Sequence, residues 1–190
     1  MNLTQTKLPE VVVVNPTVSR DNCGWFIETF NEKGFSRELK KLGLPLPRQF
    51  VQDNHSKSHR GILRGLHYQL ENPQGKLVRV VKGEVFDVAV DMRHNSPRFG
   101  SWVGEYLSEK NKKQLWVPEG FAHGFFVLSD EADFEYKCTD YYNPSRNVTL
   151  QWDDPDVNVG WPISDTDVVL SDQDQKGLGF KEIVKEGLVA

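Results

Sequence analysis

The chain has 190 residues, 38% hydrophobic and 26% charged, with a formal net charge of −4. That is enough for one domain with a substantial core. No basic stripe interleaved with aromatics is present, which argues against nucleic acid as a partner, and no apolar run approaches the length of a membrane span. The cysteines, Cys23 and Cys138, lie far apart and suggest no disulfide framework, so a reducing, cytoplasmic setting is expected. Met1–Glu10 lacks the basic and apolar regions of a signal peptide.

The pattern along the chain is mostly β. Val11–Val14 reads as a first strand and Gly24–Phe30 as a second, rich in β-formers between turn residues. The period then changes: Phe35, Leu39 and Leu42 recur at helical spacing, Asn31 can cap the start, Gly43 can end the helix, and Pro45 and Pro47 forbid its continuation. From Arg48 onward short strands dominate. Leu77–Val81 and Glu84–Asp91 flank Lys82-Gly83, which reads as a hairpin turn. Within the second of these, Phe86, Val88 and Val90 point one way, and Val85, Asp87, Ala89 and Asp91 the other. Further strands are expected at Trp102–Leu107, Gln114–Val117, Gly124–Leu128, Phe134–Tyr142 and Val148–Trp152, separated by turn signals such as Asn95-Ser96-Pro97 and Asn143-Pro144-Ser145.

Many short strands at regular spacing imply a sandwich or barrel, and a jelly roll fits. The expectation is an all-β, jelly-roll barrel with a few short helices. It forms a single domain over 1–190, with its core at about 11–175 and a C-terminal tail after it. Past Trp161-Pro162 the chain is polar and less regular, with Asp165, Asp167, Asp172 and Asp174 crowded together. They read either as a solvated tail or short helix, or as the source of one aspartate that folds back onto a pocket.

Two histidine blocks stand out: Arg64-Gly65-Leu66-His67-Tyr68-Gln69, followed by Gln74-Gly75-Lys76, and Pro118-Glu119-Gly120-Phe121-Ala122-His123-Gly124-Phe125. Their spacing is similar to the cupin metal motifs, with Gly61 ahead of His67, and Pro118 and Gly120 ahead of His123. The second histidine of that pattern is Gln69 here, and its glutamate falls on Pro73 or Gln74. Two ligands remain, where a catalytic metal needs about three. No metal and no cofactor are therefore expected. A lone histidine is more often a satisfied core residue than a catalyst. Arg64 and Lys76 beside His67 reverse that weighting, because clustered cations are costly to bury without a ligand. A metal-free imidazole there is available as a base.

At this point the chain resembles the dTDP-4-dehydrorhamnose 3,5-epimerases from about Val14 to Asp174. The strongest blocks are Phe50–Ser56, Leu63–Gln69, Gly75–Arg79, Gly83–Asp91 and Pro118–Phe125. The resemblance implies a cupin-like jelly roll that is homodimeric and metal-independent, acting on a dTDP-linked 4-keto-6-deoxyglucose in a rhamnose pathway for surface polysaccharide. It inverts the sugar at C3 and C5, whose C–H bonds the C4 ketone acidifies. By the same resemblance His67 is the base, Asp174 its orienting carboxylate, Lys76 the cation beside the C4 oxygen, and Tyr136 the proton donor on the opposite face. Arg64 and His123 hold the substrate near its phosphates and ring. Gln52, Asp53 and Asn54 bond the nucleotide, and Tyr142 lies near the base. Glu28 reaches the nucleotide of the partner subunit, so N-terminal residues are shared across the dimer.

The chain departs from the family pattern in the nucleotide-binding region. Cys23 stands where an arginine is expected to touch the diphosphate, Ser19 where an aromatic often covers the base, and Asn147 and Gln173 where charged residues are common. These departures keep open a mono-epimerase working at C3 or C5 of a related dTDP-keto-deoxysugar; a non-catalytic, carbohydrate-binding cupin is the alternative from another class.

Overall fold

Most strands carry β-branched or aromatic residues, whereas the strand Gln52–His59 is wholly polar and forms on its pairing with Glu131–Cys138. The computed structural model describes residues 1–164 and 167–190, so Asp165 lies outside it. In chain order the strands are β1 Asn2–Gln5, β2 Val12–Asn15, β3 Val18–Asp21, β4 Gly24–Ile27, β5 Gln52–His59, β6 Ile62–Gln69, β7 Lys76–Lys82, β8 Glu84–Asp91, β9 Trp102–Ser108, β10 Gln114–Val117, β11 Phe121–Val127, β12 Glu131–Cys138, β13 Asn147–Thr149 and β14 Val169–Leu170. Two helices, α1 Glu32–Lys41 and α2 Phe180–Lys185, and two 3-10 turns, Pro144–Arg146 and Asp174–Lys176, complete the chain. Sheet one runs β1-β2-β10-β7-β12-β5. Sheet two runs β13-β6-β11-β8-β9, with β14 added on β6. β3 and β4 pair only with each other.

The two sheets face one another across Val78, Val80, Val85, Ala89, Leu115, Phe125 and Phe134. This is the jelly roll expected from the strand pattern. The alternation in β8 is as read: Val85 and Ala89 join this inter-sheet cluster, while Phe86, Val88 and Val90 pack on the other side of sheet two. Helix α1 begins as its cap predicts, with Asn31 Oδ1 accepting from the Gly34 amide at 2.9 Å. Phe35 and Leu39 press onto Val12, Val14, Leu77 and Trp116 on the outside of sheet one.

Four expectations are corrected. Lys82-Gly83 does not close a hairpin, because β7 belongs to sheet one and β8 to sheet two. Periodicity shows that both segments are strands but says nothing about whether they pair. Gly83 turns the chain between sheets at φ +80°, and a Cβ there would stand 2.1 Å from the Glu131 carbonyl oxygen. The second strand stops at Ile27, because Phe30 leaves it to pack edge-on against Phe35 and Phe50. The strand expected over Phe134–Tyr142 ends at Cys138, since the carbonyls of Asp140 and Tyr141 accept from Gln74 and Gln69 side chains instead. The strand expected over Val148–Trp152 covers Asn147–Thr149 only.

The core also runs past residue 175. Ile183 is fully buried with Leu66, Val88 and Met92, and Leu178, Phe180 and Leu188 pack around it. The Ala190 amide donates to the Met92 carbonyl at 2.9 Å.

The corner at Gly83 carries a testable cost. Gly83→Ala forces an L side chain into left-handed backbone against a carbonyl, and we expect a loss of about 3 kcal/mol. Gly43 has a similar φ of +69° but open space around it, so Gly43→Ala is expected to cost only about 1 kcal/mol. Urea unfolding midpoints at equal slope separate the two.

Candidate active site

The site lies between the sheets, and a bulge in β6 shapes it. His67 pairs with His123, whereas Arg64 pairs with Phe125. β6 therefore uses three residues where β11 uses two. In a regular strand an odd separation puts side chains on opposite faces. The extra residue brings both Arg64 and His67 to the inner face. Two glycines permit it: a Cβ on Gly65 would come 2.6 Å from the Gly124 Cα.

His67 Nε2 lies 2.6 Å from Asp174 Oδ1. Asp174 Oδ1 also accepts from the Gly65 amide at 3.3 Å, and Oδ2 accepts from Ser171 Oγ at 2.7 Å. Burial alone would raise the Asp174 pKa. The hydrogen bonds from His67 and Ser171 outweigh it and hold the carboxyl below its usual range. The carboxylate side chain is 2% exposed and the imidazole 27%, so the charge is enclosed while the ring reaches open space. With Nε2–H donating to Asp174, Nδ1 carries the lone pair, and Nδ1 has no hydrogen-bond partner among the described residues. Of the crowded aspartates Asp174 is the one that folds back; Asp172 remains exposed.

His123 sits beside His67 with its Nε2 2.9 and 3.0 Å from the two oxygens of Asp87. Asp87 is completely buried. Burial raises its pKa, against the pull of His123 and Lys76. The sequence reading put Asp87 on the same side of its strand as Val85 and Ala89 but gave that side no direction and Asp87 no role. The available signal was a carboxylate among Val85 and Ala89 on a buried face, which is costly unless paired. Ser58 and Ser171, which hold Arg64 and Asp174, were also missed. Neither stands out in sequence.

Sheet one supplies the opposite wall. Lys76, Val78 and Val80 share the inner face of β7, and Lys76 pairs with Cys138 of β12. Burial pushes the Lys76 ammonium pKa down, while Cys138 and Asp87 push it up. Lys76 has no hydrogen bond or ion pair among the described residues. Arg64 donates from Nε to Ser58 Oγ at 2.9 Å and has no carboxylate partner among them. Apart from Arg20 on the exposed hairpin, the other arginines all pair with acids. Tyr136 lies inward beside Phe134, with ring centroids 6.0 Å apart. Burial raises its hydroxyl pKa; Cys138 adds to this and Arg64 opposes it. The phenol therefore keeps its proton. The enclosure thus has an oriented imidazole on one wall, and a phenol and an ammonium without a hydrogen-bonded acid on the other. Such a set can take a proton from one side of a substrate, hold charge on an oxygen and return a proton from the other side.

The remaining candidates divide. Gln52 and Asn54 face inward: Gln52 Nε2 donates to Asn54 Oδ1, and Asn54 Nδ2 donates to Cys138 Sγ at 3.7 Å. Asp53, between them, points to the outer face and pairs with Lys137 at 2.9 Å. Strand alternation separates it from its neighbours, so the structure does not bring Asp53 into the enclosure. Tyr142, Asn147 and Gln173 line a groove along the β13 edge. Glu28 is exposed beside α1, where it accepts from Asn31 Nδ2 at 3.3 Å, and it lies outside this enclosure. Gln69, in the place of a cupin ligand, is occupied structurally. Its amide donates to the carbonyls of Asn72 and Tyr141 and accepts from the Asn143 amide.

Comparison with known proteins fits this geometry. The dTDP-4-dehydrorhamnose 3,5-epimerase family model matches residues 5–182. The chain belongs to the dTDP-4-dehydrorhamnose 3,5-epimerase family.

The epimerase of that name from Neisseria gonorrhoeae is 52% identical over 99% of this chain, which spans 55% of that longer protein. The one from Escherichia coli K12 is 46% identical over all of both chains. The crystal structure of the 3,5-epimerase from Legionella pneumophila, in complex with dTDP-4-keto-L-rhamnose, matches with a TM-score of 0.89 and 48% identity, covering 97% of this chain and 95% of that one. The 3,5-epimerase match takes in both walls of the enclosure and the 3-10 turn that carries Asp174.

Proposed function

We propose that this chain is a metal-independent dTDP-4-dehydrorhamnose 3,5-epimerase, an isomerase that inverts C3 and C5 of dTDP-4-keto-6-deoxy-D-glucose to give dTDP-4-keto-L-rhamnose. The observation that carries the reading is the opposition of the His67–Asp174 pair on sheet two to Lys76 and Tyr136 on sheet one. His67 Nδ1 takes the proton from the carbon next to the C4 ketone. The C–H electron pair forms a carbon–carbon double bond, and the carbonyl π pair moves to oxygen. Lys76 stabilises that oxyanion more than the neutral ketone, which lowers the barrier. Tyr136 then delivers its proton to the opposite face of the carbon as the carbonyl re-forms. The resulting imidazolium and phenolate are reset by proton exchange with water, and the same set serves the second carbon.

Around this core Arg64 and His123 hold the substrate, with His123 kept in place by Asp87. Gln52, Asn54, Tyr142, Asn147 and Gln173 receive the nucleotide. The assembly is a homodimer. Its support is the β3–β4 hairpin, which pairs with neither sheet and leaves Trp25 and Phe26 54% and 72% exposed. Exposed aromatics of this kind suit a protein partner, and Glu28 at the base of the hairpin serves the partner's site. A cytoplasmic location fits the free thiols Cys23 and Cys138. Among the described residues no helix is long and apolar enough to cross a membrane.

The test is incubation of the dTDP-keto-sugar in deuterated water. Deuterium at both C3 and C5, with inversion at each, is the expected result. Label at one carbon only would make the chain a mono-epimerase, and none at either would end the catalytic reading.

A further inference from the structure

We infer that Lys176 is a substrate-binding residue of this enzyme, whose ammonium holds the diphosphate of the dTDP-sugar. The inference rests on the epimerase reading above and names a contact that reading does not include. Lys176 ends the 3-10 turn whose first residue, Asp174, orients His67. Its amide donates to the Gln173 carbonyl at 3.1 Å. In 3-10 geometry side chains three apart eclipse, so Lys176 stands on the same face as Gln173.

Both side chains line one groove of about 570 Å³ along the β13 edge, together with Tyr142, Asn147 and Thr149. That volume suits a nucleotide-sized ligand. The groove is tied to the proton-transfer site, since Thr149 is the register partner of His67 and Asn147 that of Gln69. The groove edge and the His67 strand are therefore joined within one ladder.

The charges within the groove single out one residue. Gln173 carries no charge, and its amide is directed at Thr149 Oγ1, 3.5 Å away. Arg146 is paired with Glu71 at 3.1 Å. The Lys176 side chain is exposed and its ammonium has no hydrogen bond or ion pair among the described residues. It is the groove's uncommitted cation. A diphosphate bound to a chain of net charge −4 needs local cations, and Cys23 offers none.

The experiment compares Lys176→Ala, Lys176→Arg and the double variant Lys176→Ala/Gln173→Lys with the wild type. Each is assayed for kinetics on the dTDP-keto-sugar and for calorimetric binding of dTDP and of thymidine. Lys176→Ala is expected to raise KM and weaken dTDP binding by about tenfold. Its kcat stays within about twofold, the signature of uniform binding, and its affinity for thymidine does not change. Lys176→Arg keeps near-wild-type affinity. Gln173→Lys restores dTDP affinity in the Ala background, because the eclipsed position returns the charge to the same place.

Unchanged dTDP affinity in Lys176→Ala overturns the inference, as does an equal loss for thymidine or a loss confined to kcat. Failure of the rescue overturns the shared-face argument. A wild-type protein that binds no dTDP sinks the epimerase reading and this inference together. Tight wild-type binding that is insensitive to Lys176 sinks this inference alone.

Discussion

His67→Asn is expected to lower kcat by about 10³-fold, with dTDP affinity nearly unchanged. Asparagine keeps a donor toward Asp174 but has no basic nitrogen facing the substrate. The loss falls on both carbons at once, because a single imidazole serves both abstractions. Deuterium uptake at C3 and C5 should therefore stop together. Asp174→Asn removes the charge that stabilises the imidazolium and should cost less, about 10²-fold. Steady-state kinetics and exchange measured by NMR check both. If His67→Asn retains exchange at either carbon, another group is the base and the proposed mechanism fails.

Lys76→Met should lower kcat by about 10²- to 10³-fold, the cost of removing one charge-stabilising donor, while the folded state becomes more stable by about 1 kcal/mol. The second effect follows from the geometry. Lys76 is an ammonium with no carboxylate or carbonyl partner among the described residues, in surroundings that push its pKa down. A buried charge that Asp87 offsets only in part is destabilising, and Met keeps the chain length while removing it. Urea unfolding and turnover of the same variant supply both readings. Equal loss of activity and stability would mean that Lys76 is a structural residue.

The sequence made the elements legible and left their pairing hidden. Asn31, Phe35, Leu39 and Gly43 announce α1 because capping and helical spacing are local properties. Alternation in β8 correctly separated Val85 and Ala89 from Phe86, Val88 and Val90, but did not show which side faces the other sheet. The same alternation could not show that β7 and β8 lie in different sheets, since a hairpin and a corner leave the same local pattern. The site was legible in a similarly uneven way. Arg64, His67, Lys76 and His123 were marked by their concentration in a few β segments. Even so, regular alternation would place Arg64 and His67 on opposite faces, and only the bulge at Gly65 reconciles them. The choice of Asp174 over Asp172 came from family resemblance; the structure gives it a physical basis in three hydrogen bonds. Asp53 went the other way, grouped with Gln52 and Asn54 by proximity in the chain and turned away by the pleat. Asp87 was grouped with Val85 and Ala89 on one side of its strand, but its pairing with His123 is a contact between strands and leaves no local mark.

The proposed base, His67, and the carboxylate bonded to it are 107 residues apart, and the carboxylate arrives on a segment that follows every strand of the main barrel ladder. During synthesis the barrel strands leave the ribosome first, with His67 among them and its ring still unanchored. On the proposed mechanism, full turnover waits until the segment that carries Asp174 has docked against β6. On that mechanism a nascent chain, or one cut ahead of Asp174, is expected to turn the sugar over about 10²-fold more slowly, as Asp174→Asn is.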